Sequence, residues 1–69
     1  MSDRVFKKIE VTGTSNKSIE EAVQNALAKS AKTVHNLRWF EVVEIRGNID
    51  NDCVGQWQVT LKIGFALDD

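Results

Sequence analysis

Eleven consecutive residues, Trp57 to Leu67, alternate large apolar side chains (Trp57, Val59, Leu61, Ile63, Phe65, Leu67) with polar or small ones (Gln58, Thr60, Lys62, Gly64, Ala66). A period of two over that length specifies a β-strand. A single strand cannot satisfy its own backbone, so the rest of the chain must supply partners for it. Two other stretches alternate. "VFKKIEVT", Val5 to Thr12, places Val5, Ile9 and Val11 on one side and Phe6, Lys8, Glu10 and Thr12 on the other. After Asn36, Phe40, Val42, Glu44 and Arg46 share one side, and Trp39, Glu41, Val43 and Ile45 the other. "GNIDND", Gly47 to Asp52, reads as the turn that hairpins this second strand to the third.

Between the first two strands the period changes. Ile19, Ala22, Val23, Ala26, Leu27, Ser30, Ala31, Val34 and Leu37 recur at three- and four-residue spacing, one apolar stripe along about 19 residues of helix. Ser18 and Glu21 form the S-x-x-E capping box at its start, after the turn-forming "GTSNKS". Glu20 and Glu21 lie in the first turn, and Lys32, His35 and Arg38 at or near the end, as the helix dipole prefers. The stripe is lined by small residues, which suits close packing on a sheet. The expected fold is therefore α+β with the order β-α-β-β: a three-stranded antiparallel sheet with one long helix on one face, in a single domain over residues 1–69.

One helix cannot cover both faces of such a sheet, and the chain has only 69 residues. A domain of this size buries only about 60% of its unfolded surface, and small domains add disulfides, metals or oligomerisation. With one cysteine, Cys53, and one histidine, His35, the first two routes are closed and self-association is expected.

The formal net charge of -1 offers no basic footprint for nucleic acid. No apolar run reaches the ~20 residues of a membrane span, and no signal-peptide core opens the chain, so a cytoplasmic protein is expected. "NKS" at Asn16 matches a glycosylation sequon by chance in that setting. His35 has no nucleophile with a matching context, and Cys53 has no neighbouring cation to lower its pKa; no catalytic site is expected. Asn48, Asp50 and Asp52 are spaced like the opening of a calcium loop, but Cys53 stands where that loop needs glycine and Val59 where it needs glutamate, so no metal site is expected. "GTS" before the helix lacks the glycine pattern and lysine of a nucleotide loop.

Trp39 and Trp57 remain. Trp57 shares the apolar side of the third strand and reads as core or interface. Trp39, just after Arg38 where helix gives way to strand, fits burial less well. By pattern alone it is either core or interface, or a platform on which a flat ligand lies.

The segments "VFKKIEVTGTS", "AVQNALAKSAKTVHNLRWFEVVEIRG" and "QWQVTLKIGFALDD", in this order and spacing, closely resemble those of the dodecins, small flavin-binding proteins that assemble as hollow twelve-subunit shells. The resemblance spans nearly the whole chain. It implies a homododecamer, not an enzyme, that stores, buffers and photoprotects FMN or riboflavin. By resemblance, Trp39 stacks on the flavin ring, with two flavins sandwiched between symmetry-related tryptophans, and Gln58 hydrogen-bonds the polar rim of the ring. Arg46 matches an arginine near that pocket in bacterial members. One departure is visible: where many bacterial members read "GFRLED", this chain has "GFALDD", with Ala66 in the place of an arginine suited to a phosphate. That puts in question a preference for FMN over riboflavin, with Lys7, Lys8 and Arg46 left to compensate, and also the coenzyme A binding near three-fold axes seen in some members. The reading from another class is an oligomeric protein-interaction module that uses its uncovered sheet face without flavin, its tryptophans serving as anchors.

Overall fold

The structure, a computed structural model, describes residues 3–68. Its elements are β1 (Phe6–Ser15), α1 (Ile19–Ser30), β2 (Leu37–Asp50) and β3 (Cys53–Ala66), the expected β-α-β-β order. The sheet is antiparallel with the spatial order β1-β3-β2, so the long alternating strand is the central one and both of its edges are paired.

Directly paired residues of an antiparallel ladder point to the same side. Ile9, Val11 and Gly13 of β1 therefore lie with Ile63, Leu61 and Val59 of β3 beneath the helix. Val59, Leu61 and Ile63 are fully buried against Ala22 and Ala26, and Ile9, Val11, Ile19, Val23, Leu27 and Leu37 pack around them. The small residues on the stripe are what bring the helix this close. Gly13 completes the contact, since a Cβ there would fall on the Ala22 carbonyl. The helix rests chiefly on β1 and β3, and β2 reaches the core beside it through Leu37. Phe40, Val42 and Ile45, on the helix side of β2, consequently remain about half exposed.

The helix start matches its sequence signal with one exchange of partners. Ser18 caps α1, its hydroxyl accepting from the Glu21 N–H at 3.0 Å. The Glu21 carboxylate does not close the box on Ser18. It accepts from the buried Ser15 hydroxyl at 2.6 Å, and Ser15 Oγ in turn accepts from the Lys17 and Ser18 N–H groups. The last residue of β1 thus ties the sheet to the helix start. Ser18→Ala is expected to cost about 0.5–2 kcal/mol of unfolding free energy, measurable by denaturant titration.

The helix end differs from the expectation. It stops at Ser30, and only Lys29 supplies a cation in its last turn. Beyond it, Lys32 and Thr33 donate to the carbonyls three residues back, Asn36 takes a left-handed φ of 65°, and Leu37 is already in β2. Leu37 pairs with Phe65, and the Asn36 carbonyl accepts from the Ala66 N–H at 3.0 Å. Leu37 continues the apolar spacing because it packs on the same core from a strand. The strand ladder wins there over further helical turns.

The turn is also shorter than Gly47 to Asp52. Asn51 and Asp52 alone make it, with φ values of 52° and 61° between the paired Asp50 and Cys53. Two left-handed residues between paired strands suit the tight hairpin that Asn and Asp favour. Gly47, Asn48, Ile49 and Asp50 belong to β2.

Candidate functional site

The strict alternation read from Trp39 to Arg46 fails at one residue. The register with β3 runs Trp39↔Gly64, Phe40↔Ile63, Glu41↔Lys62 and Val42↔Leu61, then skips Val43 and resumes at Glu44↔Thr60, Ile45↔Val59 and Arg46↔Gln58. Val43 is the extra residue of a β-bulge. The bulge reverses the phase of the strand, so Trp39, Glu41, Glu44 and Arg46 all point away from the helix, while Phe40, Val42 and Ile45 point towards it. Without it, Trp39 and Arg46 would occupy opposite faces.

Trp39 is on this open face and 42% exposed. Its indole lies over Gly64: a Cβ on that glycine would overlap the benzo ring, within 2.6 Å of Cδ2 as well as on Cε2 and Cζ2. Gly64 is buried beneath it. On β1, Lys8 stands opposite Gly64 and sends its ammonium across the central strand to Glu41 Oε1 at 2.6 Å, alongside the indole. One face of the ring is therefore seated on backbone and the other is free. A large, flat, electron-rich surface held this way is suited to stacking against a planar ligand.

The Lys8 hydrogen bond and charge hold the Glu41 carboxyl below its ordinary value of 4.5. A lowered folded-state pKa means the pair favours the folded chain above that value and loses its effect as pH falls through the folded pKa, a small contribution because both groups face water. Lys8→Met should return the Glu41 titration towards 4.5, read by carboxyl NMR.

Gln58 and Arg46 are direct partners across β3 and β2 on the same open face. The Gln58 amide donates to Gln56 Oε1 at 3.1 Å, which orients it. The Thr12 and Thr60 hydroxyls pair at 2.8 Å in the next row towards Trp39. Trp39 is not brought to this polar cluster. Six residue steps of β3 separate Gly64 from Gln58, about 20 Å at the ~3.3 Å rise of a strand. A single ring system cannot touch both within one chain.

Other singled-out residues fall elsewhere. Trp57 is half-buried on the helix side, in the row of Ser15 and Gly47. Ala66 is buried, opposite Phe6 on β1. Asn48 and Asp50 lie on β2 and Asp52 in the turn; among the described residues no three of His, Cys, Asp and Glu converge as metal ligands. Among the described residues no helix is long and apolar enough to cross a membrane. Sequence reasoning missed Gly64, Phe6 and the Lys8–Glu41 pair as surroundings of Trp39. The glycine facing a tryptophan across a hairpin was the available signal, once the register was known.

Residues 5–68 match the family model described as Dodecin. The dodecin of Thermus thermophilus is 48% identical over 66 residues, 96% of each chain. Among solved structures, the dodecin of Streptomyces coelicolor superposes with a TM-score of 0.95 at 42% identity, covering 100% of this chain and 99% of that one. The dodecin of Streptomyces davaonensis gives 0.94 at 40% identity, covering 99% and 100%.

Proposed function

The chain belongs to the dodecin family, and on that premise we propose that it binds FMN or riboflavin as stacked pairs between the Trp39 indoles of two subunits in a homododecamer, storing the flavin and protecting it from light. The observation that carries this is the seating of Trp39: one ring face rests on Gly64 and the other is open, on the sheet face the helix leaves bare. The ~20 Å between Trp39 and the Gln58–Arg46 pair along the strand divides the site. In the assembly, Gln58 and Arg46 of one copy meet the flavin that stacks on Trp39 of another. The Gln58 amide offers donors and an acceptor for the alternating polar groups of the ring edge.

Self-association has its own support in the fold. Phe40, Val42, Val43 and Ile45 are exposed along β2, and Phe40 borders an apolar groove with Ile19, Val23 and Leu27 of α1. A domain this small gains most by covering such a surface with another copy.

A flavin covered by indole on one side and by a second flavin on the other has no open face for a substrate, so the function is binding rather than catalysis. An indole in van der Waals contact with the excited ring can donate an electron to it. That quenches the excited state before it reacts.

Titration of ligand-stripped protein with FMN, and separately with riboflavin, tests this reading. Fluorescence quenching that saturates at one flavin per chain, on a particle of dodecamer mass, is the expected result. A colourless monomer or dimer that leaves flavin fluorescence unchanged overturns it. The phosphate should add little. Ala66 is buried, Lys8 is committed to Glu41 and Lys7 pairs with Phe65 on the other side of the sheet, which leaves Arg46 as the cation beside Gln58. Arg46→Ala is expected to weaken FMN by no more than about fivefold, in keeping with an exposed ion pair, and to leave riboflavin unchanged.

A further inference from the structure

Trp39 does not rest on Gly64 alone. Phe6 meets it from the opposite outer strand, with ring centroids 5.1 Å apart and planes at 66°. β1 and β2 are separated by the whole width of β3, about 10 Å at the ~4.8 Å spacing of neighbouring strands. Side chains on the two outer strands of a sheet do not ordinarily touch across the middle one. These do because β3 presents Gly64 and Ala66 between them, no side chain at one position and a methyl at the other. The edge-on arrangement is the one that aromatic quadrupoles favour. Lys8 and Glu41 join across the same strand beside the ring. The indole thus has a floor, an aromatic stop and a charged flank.

An exposed tryptophan on a strand otherwise samples several rotamers, and a ligand that stacks on it must bear the entropy of selecting one. We propose that Phe6 is a positioning residue, holding the Trp39 indole flat on Gly64 before any ligand arrives, so that stacking meets a surface already ordered. The identity of the ligand rests on the flavin reading above; the ordering of the indole does not. The contact through which Phe6 acts is the one it makes with Trp39.

The test separates the two. Incorporating 5-fluorotryptophan in a Trp57→Phe background leaves one fluorine resonance, that of Trp39, to be followed in the assembled, ligand-free protein. With Phe6 in place the resonance should be narrow and displaced from its unfolded position. Phe6→Leu, which keeps an apolar side chain at this half-exposed site, should move it towards the unfolded value and weaken FMN binding roughly two- to tenfold, the range of an aromatic pair. Quenching of each bound flavin should stay complete. Phe6→Tyr, which keeps the ring, should restore both the resonance and the affinity. An unmoved resonance in Phe6→Leu, a moved one with unaltered FMN affinity, or a Phe6→Tyr protein that behaves like Phe6→Leu would each overturn the proposal. A wild-type protein that binds no flavin, yet shows the resonance shift on Phe6→Leu, would instead overturn the flavin reading and leave the ordered platform in place for another planar ligand.

Discussion

Trp39→Ala should weaken flavin binding by a factor of about 5 to 150, the equivalent of the ~1–3 kcal/mol that stacking on an aromatic side chain contributes, and whatever flavin still binds should fluoresce. Both effects follow from one cause. The indole supplies the contact area and also the electron that quenches the excited ring, and alanine removes both. Gly64→Ala is the informative companion because it keeps the tryptophan. Its new methyl would overlap the benzo ring, so the indole must lift from the sheet and lose its seat. Affinity and quenching should fall together, in the direction of Trp39→Ala but less far. Unchanged affinity in Trp39→Ala would show that the ligand lies elsewhere. Unchanged affinity in Gly64→Ala would show that the indole need not be flat on the sheet to bind. Fluorescence titration of the three proteins at equal chain concentration decides between these outcomes.

The largest effect on stability is expected at Gly13. A Cβ there falls on the Ala22 carbonyl oxygen and lies 2.8 Å from the Ala26 Cβ, so the obstacle is helix backbone rather than a side chain that can turn aside. Over-packing of a core costs about 1–3 kcal/mol, occasionally more. A chain of this size holds only about 3–5 kcal/mol from its own core. Gly13→Ala should therefore consume most of the stability of the subunit. A loss of about 3 kcal/mol corresponds to roughly 12–24 °C in melting temperature for a domain of this length. The helix would be pushed from β1, and the groove between α1 and Phe40, which the proposed assembly would cover, would change shape with it. Circular dichroism melting and native mass should both register the change. A melting curve identical to wild type would mean that the helix is not seated at Gly13.

What could be read from the residues was whatever depends on near neighbours in the chain. The alternation from Trp57 to Leu67 identified the strand that proves central, because a side chain's face is set by its own backbone period. Ser18 marked the helix start, because a cap bonds an N–H three residues away. The small residues Ala22 and Ala26 announced close packing on the sheet, and both are buried there. The family resemblance rested on local segments in order, and the family comparison agrees with it. The helix end and the hairpin turn were misjudged for the complementary reason. Leu37 keeps helical spacing while pairing with Phe65, and Ile49 and Asp50 look like turn residues while pairing with Val54 and Cys53.

The surroundings of Trp39 belong to the same second category. By itself the sequence determined the β-α-β-β order, the long regular last strand and the place of a tryptophan where helix gives way to strand; that this last strand is the central one came from the pairing of both its edges. Only the tertiary structure decided that Trp39 and Arg46 share a face, since that depends on the bulge at Val43. It also placed Gly64, Phe6 and the Lys8–Glu41 pair around the indole and set Gln58 six residue steps away along the strand. A bulge is a mismatch between two strands, and a stop for a ring on one outer strand is a contact with the other. Neither exists until hydrogen bonds between distant segments have set the register.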